Sequence, residues 1–293
     1  MNSLPLYIHI PFCLSKCAYC DFFSIVSKCC IPDTYVTALI EDAKQKVQLY
    51  EIESWSSIYI GGGTPSLLSD KQIQLLFTAL LLLCPLDANA EITFEANPDD
   101  ITPELLSCLA EIGVNRLSIG IQSFDDKVLR TIGRRAKALQ NREALSCIQK
   151  NWITKSNFRF SADLIAGLPY QTDKEFLRGV EELVSYSPDH ISLYSLMLEE
   201  GTPLTKAIDC EKVPYDVDKA DMQWLLGRDA LVKAGYAQYE VSSFCKPHCE
   251  SKHNMVYWRL DSYIGIGSGG TGTVGNPITG EAFRWTGVKD ISV

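Results

Sequence analysis

Three of the chain's 11 cysteines fall in one short run, Pro11-Phe12-Cys13-Leu14-Ser15-Lys16-Cys17-Ala18-Tyr19-Cys20. The C-x3-C-x2-C spacing of Cys13, Cys17 and Cys20 puts three thiolates on a single loop. Three such ligands can hold three corners of a cubane iron-sulfur cluster and leave the fourth iron without a protein ligand, whereas clusters that only pass electrons normally have four Cys ligands. The open iron invites a substrate or cofactor. Zinc is the rival occupant, but a catalytic zinc commonly takes His, and only His9 stands nearby in the sequence. A plain run of buried cysteines is the third reading, and spacing alone leaves all three open. The other eight cysteines (Cys29, Cys30, Cys84, Cys108, Cys147, Cys210, Cys245 and Cys249) sit mostly in helical or loop contexts, where a free Cys behaves as a small apolar residue. The odd total of 11 cysteines, in a chain of 293 residues without an export signal, argues against a disulfide framework.

The elements that must position this loop are legible as an alternation. Short β-rich runs at 6–10, 57–60, 91–95, 116–120, 159–163 and 190–195 are separated by amphipathic helical patterns at 32–49, 69–83, 102–112, 137–150 and 172–187. Strands alternating with helices imply βαβ units and a parallel sheet. Six such repeats predict an α/β fold, a partial (βα)6 TIM-like barrel over 1–203. A helix at 217–234, short strands at 236–241 and 263–267 and a Gly-rich stretch at 265–275 predict a small α+β extension over 204–293. Ligands of parallel α/β folds bind beyond the carboxyl ends of the strands. Gly61-Gly62-Gly63 end the second strand, where backbone N–H groups can approach a charged ligand, although a tight turn is the plainer use of such glycines. Glu95, Gln122 and Asp163 end the third, fourth and fifth strands, and three polar side chains at one sheet edge make a site. Arg134, in Gly133-Arg134-Arg135, reads either as part of it or as a solvated helix terminus.

Composition narrows the classes. With 46% hydrophobic and 22% charged residues the chain is globular, and Lys plus Arg at 27 against 36 Asp plus Glu gives a net charge of -9, which argues against a broad nucleic-acid footprint. The longest apolar run, 75–86, contains Thr78, Cys84 and Pro85 and falls short of the roughly 20 residues that span a bilayer. A cytoplasmic protein without an integral membrane segment is the expectation.

With these pieces in place the sequence resembles the radical S-adenosylmethionine (SAM) family. The motifs Tyr7-Ile8-His9-Ile10-Pro11-Phe12-Cys13, Gly61-Gly62-Gly63-Thr64-Pro65-Ser66, Glu95-Ala96-Asn97-Pro98, Arg116-Leu117-Ser118-Ile119-Gly120-Ile121-Gln122-Ser123-Phe124 and Asp163-Leu164-Ile165-Ala166-Gly167-Leu168-Pro169 are similar to those of the subgroup containing oxygen-independent coproporphyrinogen III oxidases and the HemW heme chaperones. The resemblance implies a 4Fe-4S cluster on Cys13, Cys17 and Cys20, with SAM chelating the open iron and cleaved to a deoxyadenosyl radical. It also implies SAM contacts at Tyr7, Gly62, Gly63, Thr64, Glu95, Gln122, Arg134 and Asp163, with Tyr19 beside the cluster. Oxidases of the subgroup usually carry a further Cys two positions after the third ligand; here that position is Phe22, after Asp21, which points toward the chaperone branch. His253-Asn254-Met255-Val256-Tyr257-Trp258 matches the HNxxYW motif associated in that branch with heme, implying His253 as an axial ligand with Asn254, Tyr257 and Trp258 around the porphyrin. Taken as structure instead, His253 and Asn254 cap a turn and the aromatics are core. His248 and Cys249 are weaker ligand candidates, in what reads as a loop.

Implied partners are heme, heme-accepting apoproteins and an electron donor, with homodimerisation open and no catalytic side chain assigned. The rival expectations are an oxidase acting in porphyrin biosynthesis and a radical enzyme with an unrelated substrate. Family members usually carry a further helical C-terminal domain, which a chain ending at Val293 is expected to lack.

Overall fold

Parallel strands buried on both faces normally read as continuous apolar runs, yet the six strands here alternate, and the fold explains why. The computed structural model describes residues 2–28, 30–153, 157–276 and 279–291; Cys29 and Val293 lie outside them. Strands β1 (Ser3–Ile10), β2 (Ser54–Gly62), β3 (Leu86–Ala96), β4 (Arg116–Gln122), β5 (Arg159–Ala166) and β6 (His190–Ser195) pair in parallel, in chain order. Between them run α1 (Asp33–Leu49), α2 (Asp70–Leu83), α3 (Pro103–Glu111), the pair α4 (Asp126–Thr131) and α5 (Ala138–Asn151), and α6 (Asp173–Ser185). This is the α/β arrangement expected, a curved parallel sheet consistent with a partial barrel, and among the described residues its two edges do not pair to close it.

The outward row of each strand is apolar. Ile8, Ile60, Phe94, Ile119, Ala162 and Leu193 join Leu39, Phe77, Leu109, Ile148 and Leu183 of the helices in one buried core. Each such Leu, Ile or Phe contributes roughly 1.5–3 kcal/mol by leaving water. The inward row is polar, with Tyr59, Thr93, Glu95, Ser118, Ser161, Asp163, Ser192 and Tyr194 lining a cavity of about 50 Å³. The hydrophobic core therefore lies between sheet and helices, and the barrel interior is left to polar chemistry.

Helix starts follow local rules. Ser69 and Gln72 form a reciprocal capping box on α2, Thr172 and Glu175 another on α6, and Thr102 caps α3 ahead of Pro103. After β6 come α7 (Pro203–Asp209) and α8 (Val217–Lys233), then β7 (Ala237–Gln238) and β8 (Ser243–Cys245), an antiparallel hairpin added to β6. The strand expected at 236–241 shrinks to two residues because Tyr239 already turns, its N–H donating to Ser243 O at 3.1 Å. A seven-residue helix, α9 (Lys252–Trp258), precedes β9 (Ile264–Ile266), which pairs with β1 at the other sheet edge. No helix among the described residues is long and apolar enough to cross a membrane.

Candidate functional site

The chain leaves β1 at Ile10 and enters the cysteine loop, which is fastened at several points. Ile25 N–H donates to Pro11 O at 2.6 Å and Ser27 N–H to Cys13 O at 2.9 Å, folding the loop back on itself. Ala18 N–H donates to Ile132 O at 2.9 Å, and Ala18 O accepts from Leu204 N–H at 2.8 Å, clamping the loop between the end of α4 and the start of α7. Tyr19 packs on a satellite apolar cluster that includes Ile132, Leu168 and Leu204. Cys13 is buried and Cys17 and Cys20 are half-buried. Two sulfurs receive hydrogen bonds at 3.5 Å, Cys13 Sγ from Thr64 Oγ1 and Cys17 Sγ from Arg134 Nη1. Hydrogen bonding to ligand sulfurs is a principal means by which a protein tunes an iron-sulfur site.

His9 does not join them. Its Nε2 lies 2.9 Å from Phe23 O, which can only accept, so Nε2 carries the proton and Nδ1 accepts from Tyr7 OH at 2.9 Å. With both nitrogens used, the imidazole that a zinc reading needs is spent on anchoring the loop. Among the described residues no three His, Cys, Asp or Glu side chains converge to hold one metal ion. A cubane makes no such demand, since each iron takes its own thiolate.

Beside the loop, the strand ends gather the remaining candidates. Gly62 has φ 114°, and a Cβ there would lie 2.7 Å from the His9 ring, so both backbone and space require glycine. Its N–H donates to Glu95 Oε2 at 3.2 Å, while Tyr59 OH donates to Glu95 Oε1 at 2.6 Å. Arg134 turns inward rather than forming a solvated terminus. Its Nη2 donates to Gly120 O at 2.6 Å and Asn97 Oδ1 at 2.9 Å, and Asn97 Nδ2 donates to Thr64 Oγ1 at 3.2 Å. One chain of hydrogen bonds thus joins Cys13 to Cys17 through Thr64, Asn97 and Arg134. A Cβ on Gly120 would meet Gln122 Nε2 at 2.7 Å, so the absence of a side chain lets Gln122 and Arg134 approach. Gln122 itself holds φ 64°, a left-handed backbone that a non-glycine residue adopts rarely and that clusters at functional sites.

The electrostatics suit a cationic ligand. Burial raises Glu95 to about 7, with the Asp163 charge adding to the rise and the Tyr59 bond opposing it. Burial raises Asp163 to about 6 against a hydrogen bond from Ser192 and the Arg134 charge. Asp163 Oδ1, Gln122 Oε1 and Arg134 Nε are buried without a hydrogen-bond partner. Such orphans are costly unless a ligand satisfies them. SAM carries an ammonium, a sulfonium, ribose hydroxyls and a carboxylate, which are the complements of two acceptor oxygens and one guanidinium N–H, so the residues present fit it.

The HNxxYW segment lies elsewhere, on α9 across the N-terminal ends of the strands. Ser251 caps the helix, its Oγ accepting from Asn254 N–H at 3.3 Å and donating to Glu91 Oε1 at 3.2 Å. His253 N–H donates to the same oxygen at 3.1 Å. Glu91 Oε2 accepts from Arg116 Nε at 2.9 Å in a buried ion pair. Arg116 also donates to Ser161 Oγ and to the carbonyls of Cys249 and Glu250. The His253 ring is 0% exposed, with Nδ1 bonded to Ser57 Oγ at 2.8 Å and Nε2 to Tyr257 OH at 2.9 Å. Burial lowers its pKa to about 3. In this arrangement both ring nitrogens are engaged, so coordination of iron by this imidazole requires that it first give up Ser57 or Tyr257. Asn254 lines the interior cavity, Tyr257 packs edge-on against Tyr263, and Trp258 is 53% exposed. His248 is exposed at φ 63° and Cys249 is buried.

Sequence reasoning missed Tyr59, Asn97, Glu91 and Arg116 as site-building residues. Asn97 lies inside a quoted motif, and Tyr59 sits in register with Tyr7 on the inward row.

The description of the radical SAM superfamily matches residues 7–183, a span that holds every cluster and SAM candidate but not α9. The "Heme chaperone HemW" of Buchnera aphidicola subsp. Schizaphis graminum is 36% identical over 294 residues, covering 100% of this chain and 76% of that protein. That of Lactococcus lactis subsp. lactis is 39% identical over 268 residues, covering 91% and 68%. The chain belongs to the HemW heme chaperone family of radical SAM proteins. Its fold is also similar to the solved structure of coproporphyrinogen III oxidase (HemN) from Escherichia coli, described there as a radical SAM enzyme. The TM-score is 0.77 at 25% identity, and the match covers 93% of this HemW-family chain and 65% of the HemN chain.

Proposed function

We propose that the chain is a heme chaperone of the HemW type. Cys13, Cys17 and Cys20 hold a 4Fe-4S cluster, SAM occupies the strand-end site, and heme is bound and passed to acceptor apoproteins. The observation that carries this reading is the joining of the cysteine loop, through Thr64, Asn97 and Arg134, to a polar chamber with unpaired acceptors and a donor. When bound, the cluster and SAM supply one-electron chemistry at the sulfonium carbon-sulfur bond. The chain's own part is positional. Thr64 and Arg134 donate to ligand sulfurs, Glu95 and Asp163 accept from the cofactor's cationic and hydroxyl groups, and His9 and Tyr19 hold the loop over the barrel mouth. Uptake of heme on the HNxxYW segment, with His253 as ligand, requires α9 to withdraw so that the imidazole exchanges Ser57 and Tyr257 for iron.

Anaerobic titration of the reconstituted protein with hemin tests the heme part. A shifted Soret band in the wild type, altered in His253→Ala, is expected, and an unshifted band rejects chaperone function. Likeness to HemN favours a second reading, oxidative decarboxylation of coproporphyrinogen III, against which Asp21-Phe22 after the third cysteine counts. With reductant, SAM and coproporphyrinogen III, the chaperone reading predicts no protoporphyrinogen.

A further inference from the structure

We infer that His253 is a positioning residue for the SAM site, acting through Tyr59 on Glu95 from the opposite end of the barrel. The inference rests on the SAM part of the proposed function and not on its heme part. The His253 ring lies 5.2 Å from the Tyr59 ring, tilted at 35°, and is bonded to Ser57, two residues nearer the start of the strand. On another side Tyr59 meets Tyr7 at 6.1 Å. Held between these rings, Tyr59 presents its hydroxyl to Glu95 Oε1 at 2.6 Å.

His253 is itself fixed at three nitrogens. Its backbone N–H is on Glu91, and its ring nitrogens are on Ser57 and Tyr257. Tyr257 is in turn packed on Tyr263, 4.7 Å away. The brace therefore runs from the Glu91–Arg116 ion pair, through a buried and uncharged imidazole, to the carboxylate facing the cofactor. Cation-free packing suits this task, since a charged ring beneath Tyr59 would have to be solvated in the barrel floor. Without the imidazole, Tyr59 can sink into the vacated volume. Glu95 then keeps only the Gly62 N–H and loses its fixed orientation.

The test uses the full chain, reconstituted without air, with SAM itself as probe. Its dissociation constant is read by equilibrium dialysis, and the perturbation of the reduced cluster's EPR signal by SAM is read alongside. Tyr59→Phe, which deletes the hydroxyl donor, is expected to weaken SAM about tenfold, the worth of one hydrogen bond to a charged group. His253→Ala is expected to do the same, and the double variant no more than either single change, because residues acting through one path are not additive. His253→Phe keeps a ring beneath Tyr59 while stranding Ser57 and Tyr257, so it should bind SAM within about twofold of wild type while melting lower. A plug with a purely structural role would lower the melting temperature in all His253 variants and leave SAM affinity unmoved, which overturns the inference. If His253→Ala does not fold, wild-type affinity in Tyr59→Phe overturns it equally. A wild type that takes up a cluster but no SAM sinks the proposed SAM site and the brace together, and is told apart by that control.

Discussion

Arg116→Met should detach α9 from the barrel floor, and the structure sets the size of the effect. The Glu91 and Arg116 side chains are 7% and 4% exposed. Removing the guanidinium leaves a buried carboxylate with only Ser251 Oγ and His253 N–H, and also strips donors from Ser161 Oγ and the carbonyls of Cys249 and Glu250. Breaking a buried pair from one side costs about 3–5 kcal/mol, a large fraction of the roughly 5–15 kcal/mol that holds a domain folded. Urea unfolding of the cluster-free protein measures the loss, and hydrogen exchange localises it. Amides at 251–258 should lose protection first. Glu91→Gln combined with Arg116→Met removes the stranded charge and should recover at least half the deficit. A loss under about 1 kcal/mol, or a double variant no more stable than Arg116→Met, would show that the ion pair does not lock α9.

Three further expectations follow from other parts of the site. Gly62→Ala forces a Cβ against the His9 ring at a backbone that disfavours side chains, so a destabilisation of about 2 kcal/mol or more and a faster loss of iron from the loop anchored by His9 are expected; unchanged iron retention would refute the anchoring role. Arg134→Gln removes a cationic donor from Cys17 Sγ, and the cluster's reduction potential should fall by roughly 60 mV, the equivalent of one charge-assisted bond in a one-electron couple. An EPR-monitored redox titration with no shift would count against that bond. Stability should also depend on pH through His253, which is lowered to about 3 in the fold from an ordinary value of 6.5. The unfolded chain binds the proton first, so this contribution is complete above pH 6.5 and is lost as pH falls from 6.5 toward 3, by about 1.4 kcal/mol per unit. Glu95, raised to about 7, works in the opposite direction between pH 7 and 4.5. The measurement is therefore the difference between wild type and His253→Gln across pH 6.5 to 4.5, and parallel curves would contradict it.

The cysteine loop was legible because its information is linear: C-x3-C-x2-C fixes three sulfurs on one turn. Glu95 and Gln122 do fall at the last two residues of their strands, whereas Asp163, expected to end the fifth, lies inside β5 with Leu164, Ile165 and Ala166 after it, because the apolar alternation continues past the carboxylate. The six strands and their intervening helices follow from periodicity for the same reason. Helices α4, α7 and α9, of 6, 7 and 7 residues, span too few turns to display a 3.6-residue period and were not anticipated. Tyr59 and Asn97 act through neighbours that only sheet register and loop packing supply. The polar inner row is visible in hindsight as Ser57/Tyr59, Thr93/Glu95 and Ser161/Asp163, but period-two alternation by itself does not say whether the polar face meets solvent or an enclosed chamber. His253 shows the limit most plainly. Imidazole chemistry suits a heme ligand or a buried brace equally, and the burial and hydrogen bonds of the ring, which no spacing encodes, are visible only in the fold.

Iron and acid-labile sulfide per chain, measured after reconstitution without air in wild type and Cys17→Ala with SAM then added to the reduced protein, bear on the account most directly. About four of each in the wild type, a large loss in Cys17→Ala, and an EPR signal altered by SAM are the predicted results. Colourless wild-type protein without sulfide, or full iron content in the variant, would contradict it.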